Sequence, residues 1–396
     1  MGTEIKFIHC ADLHLGSRFT GVTATDPALG RKLTESTFAS FNRLIDLAIE
    51  NGVDFMVISG DIFDEENETP FTKFRFAESI KRLKMPCFIA LGNHDHKRSW
   101  EDSIPLPENA HVFPSEPEKI RLSIRGNDVE IMGISFPSRH TSNNLAASLN
   151  GSPGIFSIGV VHCSLDSDSG ENYAPCRTSD LRGKHIEYWA LGHIHKRSVI
   201  STDPYIVYPG NIQGRNPKES GEKGAYLVTI NNSSISDIRF IPVQEIMWQD
   251  VTVNINEKDL NSIIKEIVSQ VRRGSVLTLT MTGKGEMDAT LRLHTEDIRR
   301  NIEYSTGCIL SSLKLETSPA LDLESLSRGN DLVSNIISTT ERLSSTSKNE
   351  LIDIICNTKT SSEIRWVFEE MDENELSSLV KDAEMFLLEK LSEARR

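Results

Sequence analysis

Hydrophobic positions at the front of the chain follow two different periods. Short continuous apolar runs at 5–9, 55–59 and 87–91 have the length of buried strands, whereas residues 33–50 repeat their apolar positions every three to four residues, as a helix does. A second helix is predicted by the same spacing from about residue 71 to residue 83. Strands and helices that alternate in this order predict parallel strand pairing and a buried sheet.

The pattern becomes rich in strands after this start. Residues 119–124 and 129–134 flank Gly126-Asn127, a pair that suits a tight turn, and they predict an antiparallel hairpin. Further strands are predicted at 155–161, 188–191, 205–208, 225–230 and 235–241. A parallel start followed by so many strands predicts two packed sheets with helices outside, which is a four-layer α/β/β/α sandwich. We place this α/β domain at residues 1–245.

Three further segments are predicted beyond residue 245. Residues 246–318 have a strand–helix–strand pattern and predict a smaller α/β capping domain, and residues 319–348 are polar and rich in serine, as a linker is. Residues 349–396 predict a helical tail with an apolar stripe at helical spacing: Leu376, Leu379, Val380, Ala383, Phe386, Leu387 and Leu391. The stripe has two interpretations. It docks onto a partner protein, or it packs on its own helical neighbours, Ile354, Ile364, Val367 and Phe368.

Composition places the chain among ordinary soluble globular proteins. Of its 396 residues, 38% are hydrophobic and 25% are charged, and no apolar run approaches the roughly 20 residues that span a bilayer. The first residues predict a strand and not a signal peptide. Six cysteines without any C-x-x-C spacing favour a reducing compartment, so we expect a cytoplasmic protein without a membrane segment.

Charge limits the kind of nucleic-acid binding that the chain can support. The net charge of −14 argues against a protein that coats DNA nonspecifically. This charge is uneven, because residues 319–396 carry 16 Asp and Glu against 9 Lys and Arg. Two bound dications would also offset part of the negative charge of the front portion. A phosphodiester substrate is therefore compatible with the composition.

Side chains suited to metal binding follow the predicted strands in five separate clusters. These candidate ligands are Asp12, His14, Asp61, Asn93, His162, His193 and His195. Two carboxylates, one amide oxygen and four imidazoles suit two adjacent divalent cations that share one carboxylate. Each of these histidines alone could be a satisfied core residue. The joint occurrence of all the candidate ligands at separate strand ends predicts one cleft and the layout of a two-metal phosphoesterase.

One further imidazole is left over for chemistry. His94 directly follows a candidate ligand and is free for proton transfer, and Asp95 is a candidate to orient it, as carboxylates do for catalytic histidines. Two other carboxylates nearby, Asp64 and Glu65, are interpreted as solvated loop residues or a helix cap. The sequence thus predicts His94 and Asp95 as the catalytic residues.

Several of these stretches resemble the calcineurin-like metallophosphoesterases, and within them the Mre11/SbcD-type DNA repair exonucleases. The first motif, Phe7-Ile-His-Cys-Ala-Asp-Leu-His-Leu-Gly16, is similar to the opening motif of that branch. The resemblance continues at 60–64, 92–95, 161–163, 192–195, 208–214 and 222–226. It covers about residues 5–230, and beyond residue 245 only the order of domains is similar.

The resemblance implies a role for each candidate residue. The first metal would have four ligands: Asp12, His14, Asp61 and His195. The second would share Asp61 and add three more: Asn93, His162 and His193. His94 would assist the leaving group. The resemblance also implies manganese as the preferred metal and a coiled-coil ATPase of the Rad50/SbcC type as partner, and we expect a homodimer. One position departs from the pattern, because Asp64 stands where some members carry a histidine that contacts phosphate.

The sequence thus predicts an enzyme that hydrolyses the phosphodiester bonds of DNA, as an exonuclease or endonuclease. A hydroxide held between two cations would attack phosphorus in line, since metal binding lowers the pKa of water toward neutrality. Two alternatives stay open. The same core serves cyclic-nucleotide phosphodiesterases and phosphomonoesterases, and an inactive scaffold subunit would keep the fold without turnover.

Overall fold

The computed structural model describes residues 4–17, 27–64, 69–95, 104–166, 173–319, 332–357 and 365–394. The strands in these residues are β1 Ile5–Cys10, β2 Phe55–Ser59, β3 Cys87–Ala90, β4 Ala110–Val112, β5 Glu118–Ile124, β6 Asn127–Ile134, β7 Phe156–His162, β8 Tyr188–Gly192, β9 Ser198–Thr202, β10 Tyr205–Tyr208, β11 Gly224–Asn231, β12 Ser234–Pro242, β13 Trp248–Asn254, β14 Val276–Lys284 and β15 Ile309–Ser318. The helices are α1 Pro27–Glu50, α2 Pro70–Leu83, α3 Leu260–Gln270, α4 Met287–Leu293, α5 Thr295–Thr306, α6 Leu332–Ser344, α7 Lys348–Ile355, α8 Arg365–Glu370 and α9 Glu373–Ala394.

Two six-stranded sheets form the larger part of the protein. The first has the strand order β12-β11-β1-β2-β3-β4, in which β1 to β4 are parallel and β11 runs antiparallel to β1. The second has the order β5-β6-β7-β8-β10-β9, with β6, β7, β8 and β10 parallel. The predicted hairpin is the antiparallel pair β5 and β6. The mixed α/β fold predicted from the sequence is thus confirmed.

The core lies between the two sheets and beneath the helices. Phe7 and Phe55 of the first sheet pack in one buried cluster with Ile158 and Val160 of the second. Because side chains alternate along a strand, the neighbouring residue Ile8 points to the opposite face, which α1 and α2 cover. The outer face of the second sheet is covered by loops and two short 3₁₀ turns, Ala146–Ser148 and Thr178–Leu181.

Helix α2 begins where its sequence supplies a complete cap. The Thr69 hydroxyl accepts a hydrogen bond from the backbone N–H of Thr72, and the Thr72 hydroxyl accepts one from the backbone N–H of Thr69. Pro70 occupies the first turn, where its missing N–H removes no helical bond. The helix ends at Leu83 and is followed by the capping residue Lys84, whose φ of 59° is left-handed.

The chain divides into two compact units, which are residues 1–250 with 272–278 and residues 251–271 with 279–396. The predicted domain boundary stood at residue 245. A third sheet has the strand order β13-β14-β15. All of β15 belongs to the second unit, whereas the first residues of β13 and of β14 belong to the first unit. Helix α5 contacts α3 and β15 and buries Ile298 and Ile302. Residues 248–318 contain three strands and three helices.

The predicted linker is more helical than the sequence suggested. Residues 320–331 lie outside the described residues, but α6 occupies most of the remaining linker, so the prediction of a linker over 319–348 is wrong for that part. Its apolar residues Val333 and Ile337 have helical spacing and pack against Leu388 of α9. The serine-rich composition hid this periodicity.

The apolar stripe of the tail is divided between its own neighbours and the surface. Leu376 and Val380 are buried against Leu351 and Ile352 of α7, which agrees with the packing interpretation. Leu379, Phe386 and Leu387 remain exposed. Of the proposed neighbours, Phe368 joins the buried cluster, Ile354 is exposed, and Ile364 lies outside the described residues. Among the described helices, none has the length and apolar character to cross a membrane.

Candidate metal centre

Loops at the carboxyl ends of five strands carry the predicted ligands. Asp12 and His14 follow β1, Asp61 follows β2, and Asn93 follows β3, and these three strands are parallel neighbours in the first sheet. In the second sheet His162 is the last residue of β7, and His193 and His195 follow its parallel neighbour β8. Ligand sites form where parallel strands end. The structure brings all seven side chains to this one edge of the sandwich.

Several ligands have a backbone conformation that L-residues rarely adopt. The φ angles are 52° at Asp12, 44° at His14, 53° at Asp61 and 108° at His193. Each such residue costs about 1–3 kcal/mol and persists where surrounding contacts fix it. Two of those contacts are backbone hydrogen bonds, from Asp12 N to Gly60 O and from His14 N to Asp61 O, both 3.0 Å. Strain concentrated in the ligand loops is typical of a functional site.

The first group of ligands consists of Asp12, His14 and His195, whose ligand atoms lie close enough to hold one ion. The Nε2 atoms of the two imidazoles are 3.1 Å apart. Each Nδ1 faces a carboxylate, at 2.6 Å from Asp64 for His14 and at 2.9 Å from Glu219 for His195. Since a carboxylate only accepts, each Nδ1 carries the proton and both Nε2 lone pairs point at one another. A cation between them removes the repulsion, so this group fits a metal.

The second group is built around His162. Its Nδ1 donates to the Ser59 carbonyl at 2.9 Å, so Nε2 is the nitrogen that faces Asn93 Oδ1 at 3.0 Å and Asp61 Oδ2 at 3.4 Å. The same Asp61 oxygen is 3.9 Å from Nε2 of His14 in the first group. One carboxylate oxygen therefore faces ligands of both groups, as a residue shared by two cations must.

His193 is the remaining predicted ligand of the second group, and its ring lies beside that of His162. Its backbone N–H donates to Asp12 Oδ1 at 3.0 Å, and its ring lies edge-on to that of His162, with 5.2 Å between ring centroids. Tyr173 packs on the ring of His193, with a centroid distance of 5.3 Å. Asp12 thus orients the loop that carries His193 while it contributes to the first group.

Electrostatics at the centre favour a positive charge. Burial alone would lower the pKa of His162, but the charge and hydrogen bond of Asp61 outweigh it and raise the pKa to about 9. Burial would conversely raise the pKa of Asp61, yet His162 holds it well below its usual range. Burial, and then the charge of His162, lowers the pKa of His193 to about 3. The carboxylates thus stabilise a positive charge, which a proton or a metal cation can supply.

His94 lies at the mouth of the centre. Its side chain is 42% exposed, its ring packs edge-on against His14 with 5.4 Å between centroids, and its Nδ1 is 3.6 Å from Asp64 Oδ1. Its backbone N–H donates to Asp61 Oδ1 at 3.0 Å. The imidazole is therefore next to the ligands and accessible from solvent, as a proton-transfer residue has to be.

The predicted role of Asp95 is corrected by its contacts. Its Oδ1 accepts the backbone N–H groups of Ile62 and Phe63, at 2.9 and 3.0 Å, and its Oδ2 accepts that of Gly92 at 2.9 Å. Burial raises the pKa of this carboxyl to about 8. Asp95 therefore ties the loop after β2 to the loop after β3 and does not orient His94. The carboxylate beside His94 is Asp64.

Three residues of the centre, Asp64, Glu219 and Arg215, were not predicted from the sequence to take part in it. Asp64, interpreted as a solvated loop residue, accepts hydrogen bonds from His14, from the Ser17 hydroxyl and from Arg215. Glu219 accepts one from His195, and its net surroundings lower its pKa to about 2: burial opposes this, but the hydrogen bond from His195 and the charge of Arg215 outweigh it.

A signal for Asp64 existed in its spacing of three residues from Asp61, on a tight loop. Glu219 and Arg215 lie between the two stretches at 208–214 and 222–226 that had been singled out, but no local pattern distinguishes them from surface residues. Their role is visible only when the chain is folded. Glu65 lies outside the described residues.

Similarity to known proteins agrees with this geometry. A sequence model of the calcineurin-like phosphoesterase family matches residues 5–197. The chain is 36% identical over 298 residues to the uncharacterized metallophosphoesterase YhaO of Bacillus subtilis, covering 72% of this chain and 73% of that protein. It is 25% identical over 293 residues to the DNA double-strand break repair protein Mre11 of Sulfolobus acidocaldarius, with 68% and 72% covered. For Mre11 of Thermoplasma acidophilum the identity is 24% over 336 residues, with 79% and 84% covered.

Proposed function

The chain belongs to the calcineurin-like phosphoesterase family, whose members are metal-dependent hydrolases, and we propose that it hydrolyses the phosphodiester bonds of DNA. The observation that carries the proposal is the position of Asp61 Oδ2 between Nε2 of His14 and Nε2 of His162. This geometry fits a pair of cations, which we propose to be manganese. Two cations suit the in-line displacement at phosphorus that phosphodiester hydrolysis requires.

Each part of the centre has a task in this reaction. The bound cations supply Lewis-acid activation of water and neutralise charge on the phosphoryl oxygens. The seven ligands fix where the phosphate lies, because their loops are held by backbone hydrogen bonds. His94 turns its Nδ1 toward Asp64, which leaves Nε2 to protonate the departing oxygen of the substrate.

DNA is favoured over a small phosphoester by the extent of the chain and by its relatives. Similarity to proteins named Mre11 continues past the end of the family match at residue 197 and covers 79% of this chain in one case. A second compact unit follows the metal-binding unit, and a small substrate would not require it. We also propose that the protein acts as a homodimer together with a coiled-coil ATPase.

The substrate is tested with the purified full chain. We expect hydrolysis of end-labelled duplex DNA with Mn²⁺, none with EDTA, and a strong loss in Asp61→Asn. Glu118→Gln is the matched control, because this carboxylate faces the imidazole of His111 at 2.7 Å away from the centre. Turnover of cyclic nucleotides or phosphomonoesters with intact DNA would support the small-substrate alternative. Absence of all turnover, with metal bound, would support the inactive scaffold.

The partner is tested on the exposed part of the tail. Phe386→Ser with Leu387→Ser should abolish co-purification with the coiled-coil ATPase and leave phosphodiesterase activity unchanged, because both side chains are exposed on α9. Val199→Ser is the control, since it removes an exposed apolar side chain from β9 instead. Unchanged affinity for the ATPase in the tail variant would exclude this surface as the docking site.

A further inference from the structure

The two groups of ligands form two halves of the metal centre, the first with His14 and His195 and the second with His162 and His193. The halves differ in the residues that accept hydrogen bonds from their imidazoles. We propose that Glu219 and Asp64 are positioning residues that make the half built on His14 and His195 the tighter cation site, so that the two cations bind in sequence. This inference rests on the proposed two-cation function and adds an order of binding to it.

In the first half, a carboxylate backs each imidazole. Glu219 Oε1 accepts from Nδ1 of His195 at 2.9 Å, and Asp64 Oδ1 accepts from Nδ1 of His14 at 2.6 Å. A carboxylate in this position fixes the tautomer and the ring orientation, and it increases the basicity of the nitrogen that faces the metal. Both Nε2 atoms are therefore strong donors that are aimed at one point.

The two carboxylates are themselves held in place. Glu219 Oε2 accepts from Asn211 Nδ2 at 2.7 Å and from the backbone N–H of Arg215 at 2.8 Å. The Arg215 guanidinium lies between the two acids, with Nη1 3.0 Å from Asp64 Oδ2 and Nη2 3.8 Å from Glu219 Oε1. Ser17 donates a further hydrogen bond to Asp64. These contacts fix both carboxylates before a cation binds, so the two side chains lose little conformational entropy on binding.

The second half lacks this support among its described contacts. The Nδ1 of His162 donates to a neutral acceptor, the Ser59 carbonyl, at 2.9 Å. Asn93 contributes a neutral oxygen, and the ring of His193 packs on Tyr173. In the first half, the charges of Asp64 and Glu219 are balanced by Arg215 and by Lys223, which donates to the His195 carbonyl at 3.0 Å. The difference between the halves therefore lies in the carboxylates placed directly behind the imidazoles and not in net charge.

Sequential binding has a consequence for regulation. The first half fills at low free metal, and the second fills only at a higher concentration. Hydrolysis that needs both cations then follows the occupancy of the second half. The free metal concentration thereby sets how much of the protein is active.

The order of binding is tested by calorimetric titration of the metal-free full chain with Mn²⁺, without substrate. We expect two resolved steps in the wild type. Glu219→Gln should weaken the tighter step by about 10–100-fold and the weaker step much less. Asp64→Asn should act on the same step, which provides a second variant if the first does not fold. Glu118→Gln, which removes the carboxylate beside His111, should titrate as the wild type does.

Several outcomes would overturn the inference. They are a single affinity for both cations in the wild type, an unchanged tight step in both variants with melting curves like the wild type, or an equal loss in both steps. The DNA assay is separate. Two-step binding without DNA hydrolysis would refute the proposed substrate and leave the order of binding intact. DNA hydrolysis by the wild type, together with normal metal binding in Glu219→Gln, would support the proposed substrate and refute the order of binding.

Discussion

A single hydrogen bond decides what each imidazole of the centre can do. His162 donates its Nδ1 proton to the Ser59 carbonyl, and His14 donates its own to Asp64, so in both rings Nε2 is the nitrogen that faces the other ligands. His9 shows the opposite outcome with similar burial. Its two nitrogens face the Tyr188 hydroxyl and the Ser59 hydroxyl, at 3.0 and 3.2 Å, and burial lowers its pKa to about 3. It is a neutral core residue.

The first prediction at this scale concerns proton transfer. His94→Gln should keep Mn²⁺ affinity but lower turnover by about 10²–10⁴-fold, because it removes a proton donor and no metal ligand. His111→Gln is the matched control, since this histidine is also half-exposed and faces a carboxylate outside the centre. The test compares turnover on DNA and calorimetric metal binding for both variants. Normal turnover in His94→Gln would remove this residue from the mechanism.

The second prediction concerns close approach of the backbone. Gly60 has a φ of 87°, and a Cβ at this position would collide with the His162 ring. Gly60→Ala should therefore lower the free energy of unfolding by about 1–3 kcal/mol beyond the effect of backbone strain, and it should weaken metal binding. Gly126→Ala isolates the strain, because φ is 80° there and a Cβ would meet open space. Equal losses in the two alanine variants, measured by urea unfolding, would contradict the collision.

At the scale of elements, the sheets were more predictable than the elements around them. Strands such as β2 and β7 are buried along their whole length, so their apolar runs are continuous and easy to recognise. The short β4 and the exposed β9 carry no such run and were not predicted. The 3₁₀ turns over the second sheet were not predicted either, because their conformation depends on the sheet that they cover. A sequence pattern reports burial well, and it reports contacts between distant segments poorly.

The candidate site follows the same rule. Its seven ligands could be predicted because each directly follows or ends a strand, and strand ends converge. Asp95 could not be assigned correctly, because adjacency to His94 in sequence says little about which groups its carboxylate meets. Glu219 reaches the centre from a loop after β10, and nothing in its own neighbourhood marks it.

A pH prediction belongs to the hairpin of β5 and β6. Glu130 has a fully buried side chain that contacts Arg121 at 2.6 Å and Lys119 at 3.2 Å. Burial alone would raise its pKa, but hydrogen bonds from Arg121 and from Ser152 outweigh it and lower the pKa from 4.5 to about 2. A lowered pKa stabilises the fold above the unfolded value, so this contribution is complete above pH 4.5 and is lost as the pH falls toward 2.

The measurement is the free energy of unfolding between pH 5 and pH 2. The wild type should lose roughly 1–2 kcal/mol through Glu130, after allowance for the solvent exposure of the two cations. Glu130→Gln should lack this part of the pH dependence, whereas a substitution at half-exposed Glu118 should retain it. Parallel pH curves for the wild type and Glu130→Gln would show that the ion pairs contribute nothing.

At the scale of the whole molecule, the metal centre joins the two sheets. Asp12, Asp61 and Asn93 come from the first sheet, and His162 and His195 come from the second. Cations bound between them should therefore stabilise the native state, because the unfolded chain cannot present these ligands together. At a free metal concentration 1,000 times the Kd, binding contributes about 4 kcal/mol.

Metal removal gives the corresponding prediction. Addition of EDTA should lower the melting temperature of the wild type, and Mn²⁺ should restore it. Asp61→Asn, which removes the carboxylate that faces both groups, should melt at nearly the same temperature with and without metal. If the melting temperature of the wild type changes with neither EDTA nor Mn²⁺, this result would argue against cations at this position.

The pairing of β1 with β11 has a consequence for how the protein is made. Ile5 lies opposite Ile230, and every strand of the second sheet lies between them in the chain. On the ribosome, β1 can pair with β2 early, but its other edge waits for β11 until almost the whole two-sheet unit has been synthesised. During that interval its unpaired edge needs protection from other nascent chains. Pairing between strands that are this far apart in the sequence also makes folding slow. Early capture of metal by the growing polypeptide is correspondingly limited, because His193 and His195 leave the ribosome shortly before β11.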